Sequence, residues 1–234
     1  MEKAKFPMPT MNITQGYNEG GHKGAFALDL AGEDTGIDWV LAPFTGTIKK
    51  ILSGTYGNWY WFESNEEVLC ANGEVTKLVA MFGHDNRIRH KVGDIIRQGE
   101  NLCAEGSSGN ATGNHCHLEI GIGSYVGTWY KNSYGIYMLY NAVKPNEYLC
   151  LPDNYKIIKN GGYSWKLASE VKEPSASLEL DGIEKENLEK VRINMDFLGL
   201  DLSKYKGVKV DKEVEEKVSN ELKEEIIKLT KYFD

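Results

Sequence analysis

The chain has 234 residues, a net charge of −7, 41% hydrophobic residues and 26% charged residues. That balance excludes a disordered or collagen-like chain, and the acidic excess speaks against coating nucleic acid or anionic lipid. No apolar run approaches the roughly 20 residues of a membrane span. The opening MEKAKFPMPT has lysines with no apolar stretch behind them, so no secretory leader is expected and synthesis is expected in the cytoplasm.

In chain order, the first part reads as β structure. Gly46–Ile51 alternates and stops at Ser53-Gly54, and Trp59–Phe62 is aromatic and strand-like. Val68–Cys70 and Val75–Phe82 flank Asn72-Gly73, a tight-turn signal because both residues tolerate positive φ. Leu118–Ile122 is a further short strand. Short strands with glycine turns predict a mainly β fold, an antiparallel β sandwich or open barrel, over residues 1–173.

The composition changes near Pro174. Residues 1–173 hold all five Trp, all five His and 22 of the 25 Gly, whereas residues 174–234 carry a net charge of −4. Val171–Ser177 reads as a linker. Beyond it, Asp181 and Glu184 make a capping box before a helix with Leu188, Val191, Met195 and Leu198 on one face. A second helix is expected from Asp211, with Val214, Val218, Leu222, Ile226, Leu229 and Phe233 as its stripe. This small C-terminal α-helical module is a candidate wall-targeting unit or a means of forming a homo-oligomer. The four cysteines, 70, 103, 116 and 150, contain no C-x-x-C pair and are expected as buried free thiols.

Histidine is scarce, so its placement carries information. His115 and His117 flank Cys116, and on a strand residues two apart share a face. Alone, such a pair fits two surface histidines as well as a metal. Upstream lie His22 followed by Asp29, then His84 at the end of a β run, and a glycine-rich turn over 106–113 that feeds the His115 strand. A histidine, a carboxylate and a second histidine suit zinc with one position left open, and two further histidines remain to handle protons.

These pieces together resemble the LytM/lysostaphin-type zinc endopeptidases, which cut peptide bonds in bacterial peptidoglycan. AlaProPheThrGlyThrIle at 42–48, LysValGlyAspIleIleArgGlnGlyGlu at 91–100 and GlySerSerGlyAsnAlaThrGlyAsnHisCysHisLeuGluIle at 106–120 are similar to further segments of that family. The resemblance covers about residues 15–125. It implies that His22, Asp29 and His117 bind Zn2+ and that His84 and His115 face the reacting water and the substrate carbonyl. With no leader expected, a phage lysin made in the cytoplasm is the natural fit, released through membrane pores or carried on the virion, and acting on a peptidoglycan peptide without inserting in a membrane. The alternative is a degenerate LytM-like domain that binds and regulates a cell-wall hydrolase. A zinc-free carbohydrate-binding sandwich would leave the histidines unexplained.

Six residues separate His22 from Asp29, more than in most members of that family. Asp38 is therefore a competing ligand, although Asp29 sits in an apolar run where an unpaired carboxylate is costly. His90 is expected at the surface. Glu119 is assigned to the face opposite His115 and His117 and to a structural role, with a supporting hydrogen bond to the site as the lesser alternative. The aromatic stretches 56–62 and 125–130 are expected to pack in the core, with Tyr125 and Trp129 as candidates for lining a groove.

Overall fold

Strands begin and end where turn chemistry permits. The computed structural model describes residues 1–33 and 36–174. Within them β1 (Thr10–Gln15) leads through a 3₁₀ turn at Gly20–His22 to β2 (Leu28–Ala31) and β3 (Trp39–Leu41). β4 (Gly46–Gly54) and β5 (Gly57–Ser64) form the longest hairpin, followed by β6 (Val68–Leu69), β7 (Val75–Thr76) and β8 (Leu78–Gly83). Next come β9 (Ile95–Ile96), β10 (Asn101–Ala104) and β11 (Cys116–Ile122). A last stretch holds β12 (Tyr130–Lys131), β13 (Tyr137–Met138), β14 (Ala142–Val143), the short helix α1 (Pro145–Tyr148) and β15 (Lys156–Lys159).

The mainly β expectation holds, with corrections to its architecture. One sheet runs in the order β15-β1-β2-β11-β8-β5-β4-β9, and its ends do not meet, so the sheet is open. β14 joins β11 at Ile120 and Gly121, beyond the point where β2 leaves it at Leu118. β1 and β15 run parallel, so the sheet is not wholly antiparallel. Facing it, β3 and β10 form a two-stranded pair, whose Val40, Leu102 and Cys103 join Phe44, Ile48, Tyr60, Phe62 and Leu118 in the main core. Phe44 and Phe62 stack within it, 5.3 Å between centroids and 3° from parallel. The buried Tyr60 hydroxyl donates to Arg87 O and accepts from Arg89 N–H, both at 2.9 Å, so its polar end is satisfied.

Two local readings change. The apolar run over 75–82 divides at Lys77, because β7 pairs with β6 while β8 pairs with β5 and β11. In the turn before it only Gly73 has positive φ, +91°. Asn72 instead accepts a hydrogen bond from Glu74 N–H at 3.0 Å, an Asx turn that needs no left-handed asparagine.

Alternation was expected to send half of the 56–62 run inward, but both faces of β5 are covered. Tyr60 and Phe62 enter the main core, whereas Trp61 packs with Val79, Met81 and Leu139 under the segment that follows β11. The four cysteines are buried and free, as expected. Val171 is buried with Leu69, Ala71, Cys150 and Ala168, and Glu173 faces Lys3 at 3.8 Å, so the residues from 171 to 173 belong to the folded body and not to a linker. Residues 175–177 of that linker, the two helices and any oligomerisation through them lie outside the described residues. Among the described residues no helix is long and apolar enough to cross a membrane.

Removing a ring from the stacked pair leaves a void that β structure cannot readily fill. Phe62→Ala is expected to lower unfolding stability by about 3–5 kcal/mol, read from urea denaturation, with little change in the slope of the transition.

Candidate metal centre

The register of four neighbouring strands assembles the site. His117 in β11 lies directly opposite Asp29 in β2 and, on its other side, opposite Gly83 in β8. Gly83 in turn lies opposite Trp59 in β5. Residues directly opposite in antiparallel strands project to the same face, so Asp29, His117 and Trp59 form one row. Gly83 leaves the space in that row: a Cβ there would fall 2.5 Å from the Trp59 indole. The ring consequently reaches both His117, at 5.3 Å between centroids, and His84, at 5.0 Å.

His22 joins from outside the sheet. It closes the 3₁₀ turn by donating its backbone N–H to Glu19 O at 2.7 Å and accepting from Ala25 N–H at 2.8 Å. The additional residues between His22 and Asp29 are taken up by the turn that Ala25 N–H closes on His22 O and by Ala25 and Ala27, both buried against Met138.

Three imidazoles converge on one oxygen, Asp29 Oδ1. His22 Nε2 is 3.2 Å away, His117 Nδ1 3.1 Å and His115 Nε2 3.7 Å. The far nitrogen of every ring in the cluster has a fixed partner. Nδ1 of His22 faces Gly16 O at 3.1 Å, Nδ1 of His84 faces Ser108 O at 2.8 Å, and Nδ1 of His115 faces Gly113 O at 2.9 Å. Carbonyl oxygens only accept, so each Nδ1 carries a proton, and Nε2 is the nitrogen turned towards the centre. His117 is reversed: its Nε2 meets Glu119 Oε1 at 3.1 Å, leaving Nδ1 for the centre. Carbonyl and carboxylate partners on the far nitrogen are the usual support of metal-ligating histidines.

Electrostatics suit a cation. Burial alone would raise the Asp29 carboxyl, but hydrogen bonds from His117 and His22 outweigh it and hold the group far below the ordinary carboxylate range. Burial disfavours charge on His117, yet hydrogen bonds to Asp29 and Glu119 push its pKa up to about 10. The pocket thus gathers two carboxylates about one ring and stabilises positive charge there. Burial lowers His84 to about 4 against the opposing Ser108 carbonyl, so it is neutral at pH 7. The ligand atoms of His22, Asp29 and His117 all lie within 4.8 Å of one another, and their His₂-carboxylate chemistry fits zinc.

Other expected residues fall as follows. The Asp38 carboxylate packs against Gly32 and is not part of the His22–Asp29–His117 group. His90 lies beside Asp94, at 3.8 Å, and Asn101 O, at 3.3 Å, with no contact to the cluster among its hydrogen bonds and ion pairs. The assignment of Glu119 to the opposite face is wrong. Residues 115, 117 and 119 are each two apart, so Glu119 shares their side, is fully buried, and also accepts from Leu139 N–H at 2.7 Å. Tyr125 packs in the Trp61 cluster, whereas Trp129 stands beside both Trp59, at 5.7 Å, and Trp61, at 5.2 Å. Trp59 itself was missed as a site residue, hidden in an aromatic run read as core; the available signal was the glycine after Phe82, whose strand partner decides which ring has room.

No protein-family model matches the chain. It is 30% identical over 172 residues to Morphogenesis protein 1 of Bacillus phage B103, an alignment that covers 71% of this chain and 44% of that protein. The chain thus spans less than half the length of the curated relative it matches. Among solved structures it is similar to the catalytic domain of the antimicrobial peptidase lysostaphin from Staphylococcus simulans, with 21% identity, TM-score 0.37, and coverage of 62% of this chain and 86% of that one. Prophage-encoded EnpA from Enterococcus faecalis gives 24% identity, TM-score 0.35, and coverage of 51% and 82%. LytU gives 21% identity, TM-score 0.41, and coverage of 58% and 82%. These likenesses are too distant to assign chemistry, which rests on the residues of the site.

Glu119 gives the support of His117 a direct measurement. Glu119→Ala is expected to weaken zinc binding by about 10–100-fold, read by chelator competition, with the protein still folded by circular dichroism.

Proposed function

We propose that the chain is a zinc-dependent endopeptidase that hydrolyses peptide bonds of bacterial peptidoglycan, acting as a phage lysin. The observation that carries this reading is the convergence of His22, Asp29 and His117, with His84 and His115 beside them: their ring centroids are 4.7 Å apart, and His84 is 6.1 Å from His117. His22 Nε2, Asp29 Oδ1 and His117 Nδ1 would hold the ion. Bound there, zinc supplies Lewis acidity and an acidified water.

The protein's own groups would handle the protons. His84 and His115 each have the Nδ1 proton committed to a backbone carbonyl, so Nε2 is the nitrogen free to take a proton and to return it to the departing amine. The neutral state of His84 at pH 7 is the form a base requires. Trp59 packs against His84 and His117, at 5.0 and 5.3 Å between ring centroids. The peptidoglycan substrate is supported by the ordered motifs around His22, His84 and His115–His117. The phage setting fits the source of the similar Morphogenesis protein 1, a Bacillus phage. Retention of all five residues counts against the regulatory alternative.

Metal analysis of purified protein is expected to give one zinc per chain. Asp29→Ala should lose it while Asp38→Ala keeps it; the reverse pattern would replace Asp29 as ligand.

His84→Ala and His115→Ala are expected to retain zinc and to lose on the order of 10²–10⁴-fold in turnover. The assay is digestion of defined cell walls with mass analysis of the new ends, and unchanged turnover in either variant would remove that residue from the chemistry.

A further inference from the structure

His84 holds a left-handed backbone, φ +77°, at the end of β8. A residue with a side chain keeps that conformation only where its surroundings impose it. Here they come from three positions far apart in sequence. The Ser108 N–H donates to His84 O at 3.1 Å, and Ser108 O accepts from His84 Nδ1 at 2.8 Å. The Ser108 hydroxyl donates to Asp85 O at 2.7 Å and accepts from Asn58 N–H at 3.0 Å. Asn58 closes the ring, its side-chain amide donating to the same Asp85 O at 2.8 Å and its backbone O accepting from His84 N–H at 3.0 Å. The fully buried Asp85 carboxylate then pins the outgoing chain, accepting from Arg87 N–H at 2.9 Å, Ala104 N–H at 3.0 Å and Arg89 Nε at 2.8 Å.

We propose that Ser108, backed by Asn58 and Asp85, is the positioning element of His84: it fixes the imidazole in its Nδ1–H form and aims Nε2 into the site. The glycine-rich turn over 106–113 thereby acquires a role beyond feeding β11. Gly57, φ +94°, and Gly109, φ +76°, let the turns at 54–57 and 107–109 approach closely enough to make it, since a Cβ on either would strike the other's backbone. A turn that merely stabilised the fold would not need to bind the ring as well as the main chain of one histidine.

The kinetic arm of the test rests on the proposed peptidase function; the spectroscopic arm does not. In the full chain, the ring nitrogens of His84 are followed by ¹⁵N NMR in the wild type, Ser108→Ala and Ser108→Thr, with Asn58→Ala as a second variant should Ser108→Ala fail to fold. The wild type and Ser108→Thr are expected to show one protonated Nδ1 and one unprotonated Nε2; the alanine variants keep the Ser108 carbonyl that accepts from Nδ1 but lose the hydroxyl or amide that holds it in place, and are expected to show an averaged pair. With zinc content unchanged, kcat on peptidoglycan should fall about 10–100-fold at constant KM in Ser108→Ala and recover in Ser108→Thr. An unchanged His84 signature in both alanine variants overturns the proposal, as does wild-type kcat in a Ser108→Ala enzyme that cleaves walls. A protein that shows the spectroscopic change but never cleaves peptidoglycan would sink the proposed function and leave the positioning role standing.

Discussion

One antiparallel register, with His117 opposite Asp29 on one side and opposite Gly83 on the other, sets the contacts of the whole site. A slip of one residue in β11 would turn His117 to the other face of the sheet and bring Cys116 or Leu118 against Asp29. The register is strongly held because the strand is buried on both sides. Cys116, Leu118 and Ile120 lie in the main core, and Glu119 is fully buried on the other face. The apolar core and the polar site are therefore not separate achievements of the fold. Burial of one set of side chains determines where the other set points.

The site itself is a study in committed hydrogen-bond partners. Three imidazoles crowd one carboxylate and a fourth, His84, stands beside two of them, a concentration of polar groups that would be costly if any nitrogen were left facing apolar surroundings. Each far nitrogen is met by an oxygen, three of them backbone carbonyls from Gly16, Ser108 and Gly113. These carbonyls come from turns and not from the sheet, which explains the density of glycine around the cluster. A strand already uses its carbonyls in the ladder, whereas a turn has carbonyls to offer. His84 shows the same economy under strain, since its left-handed backbone costs about 1–3 kcal/mol and is held by partners on both sides.

The segment after β11 has two structural consequences. Leu139 covers the second face of β5 and β8 together with Trp61, Val79 and Met81, and its backbone N–H binds Glu119. Glu119 in turn binds His117. The covering segment is thus joined to the centre of the site through one buried carboxylate. Its β12–β13 hairpin and the residues just after it present Tyr134, Tyr137 and Tyr140 to solvent, with Trp129 linking Tyr137 to Trp59 ring by ring at 5.4 and 5.7 Å. Nearness to the histidines makes this aromatic rim part of the site's surroundings, and the apolar cover keeps the rim in place.

By itself the sequence determined the strand-rich class, the buried free cysteines, and which residues were chemically able to form a centre. Those properties follow from local rules: alternation, turn residues, and the rarity of histidine in a chain with only five. The choice between Asp29 and Asp38 was legible only as a preference, from the cost of burying a lone carboxylate in an apolar run. Tertiary structure decided the rest, because pairing between strands far apart in sequence has no local signature. It placed Asp29 beside His117 and Asp38 against Gly32, and set β15 parallel to β1 at the edge of the open sheet. It moved Trp59 from an apparent core run to the site across Gly83; the side taken by Glu119, by contrast, follows from the two-residue period alone. Which ring stands beside a histidine depends on which glycine its strand partner supplies, and only the folded register contains that information.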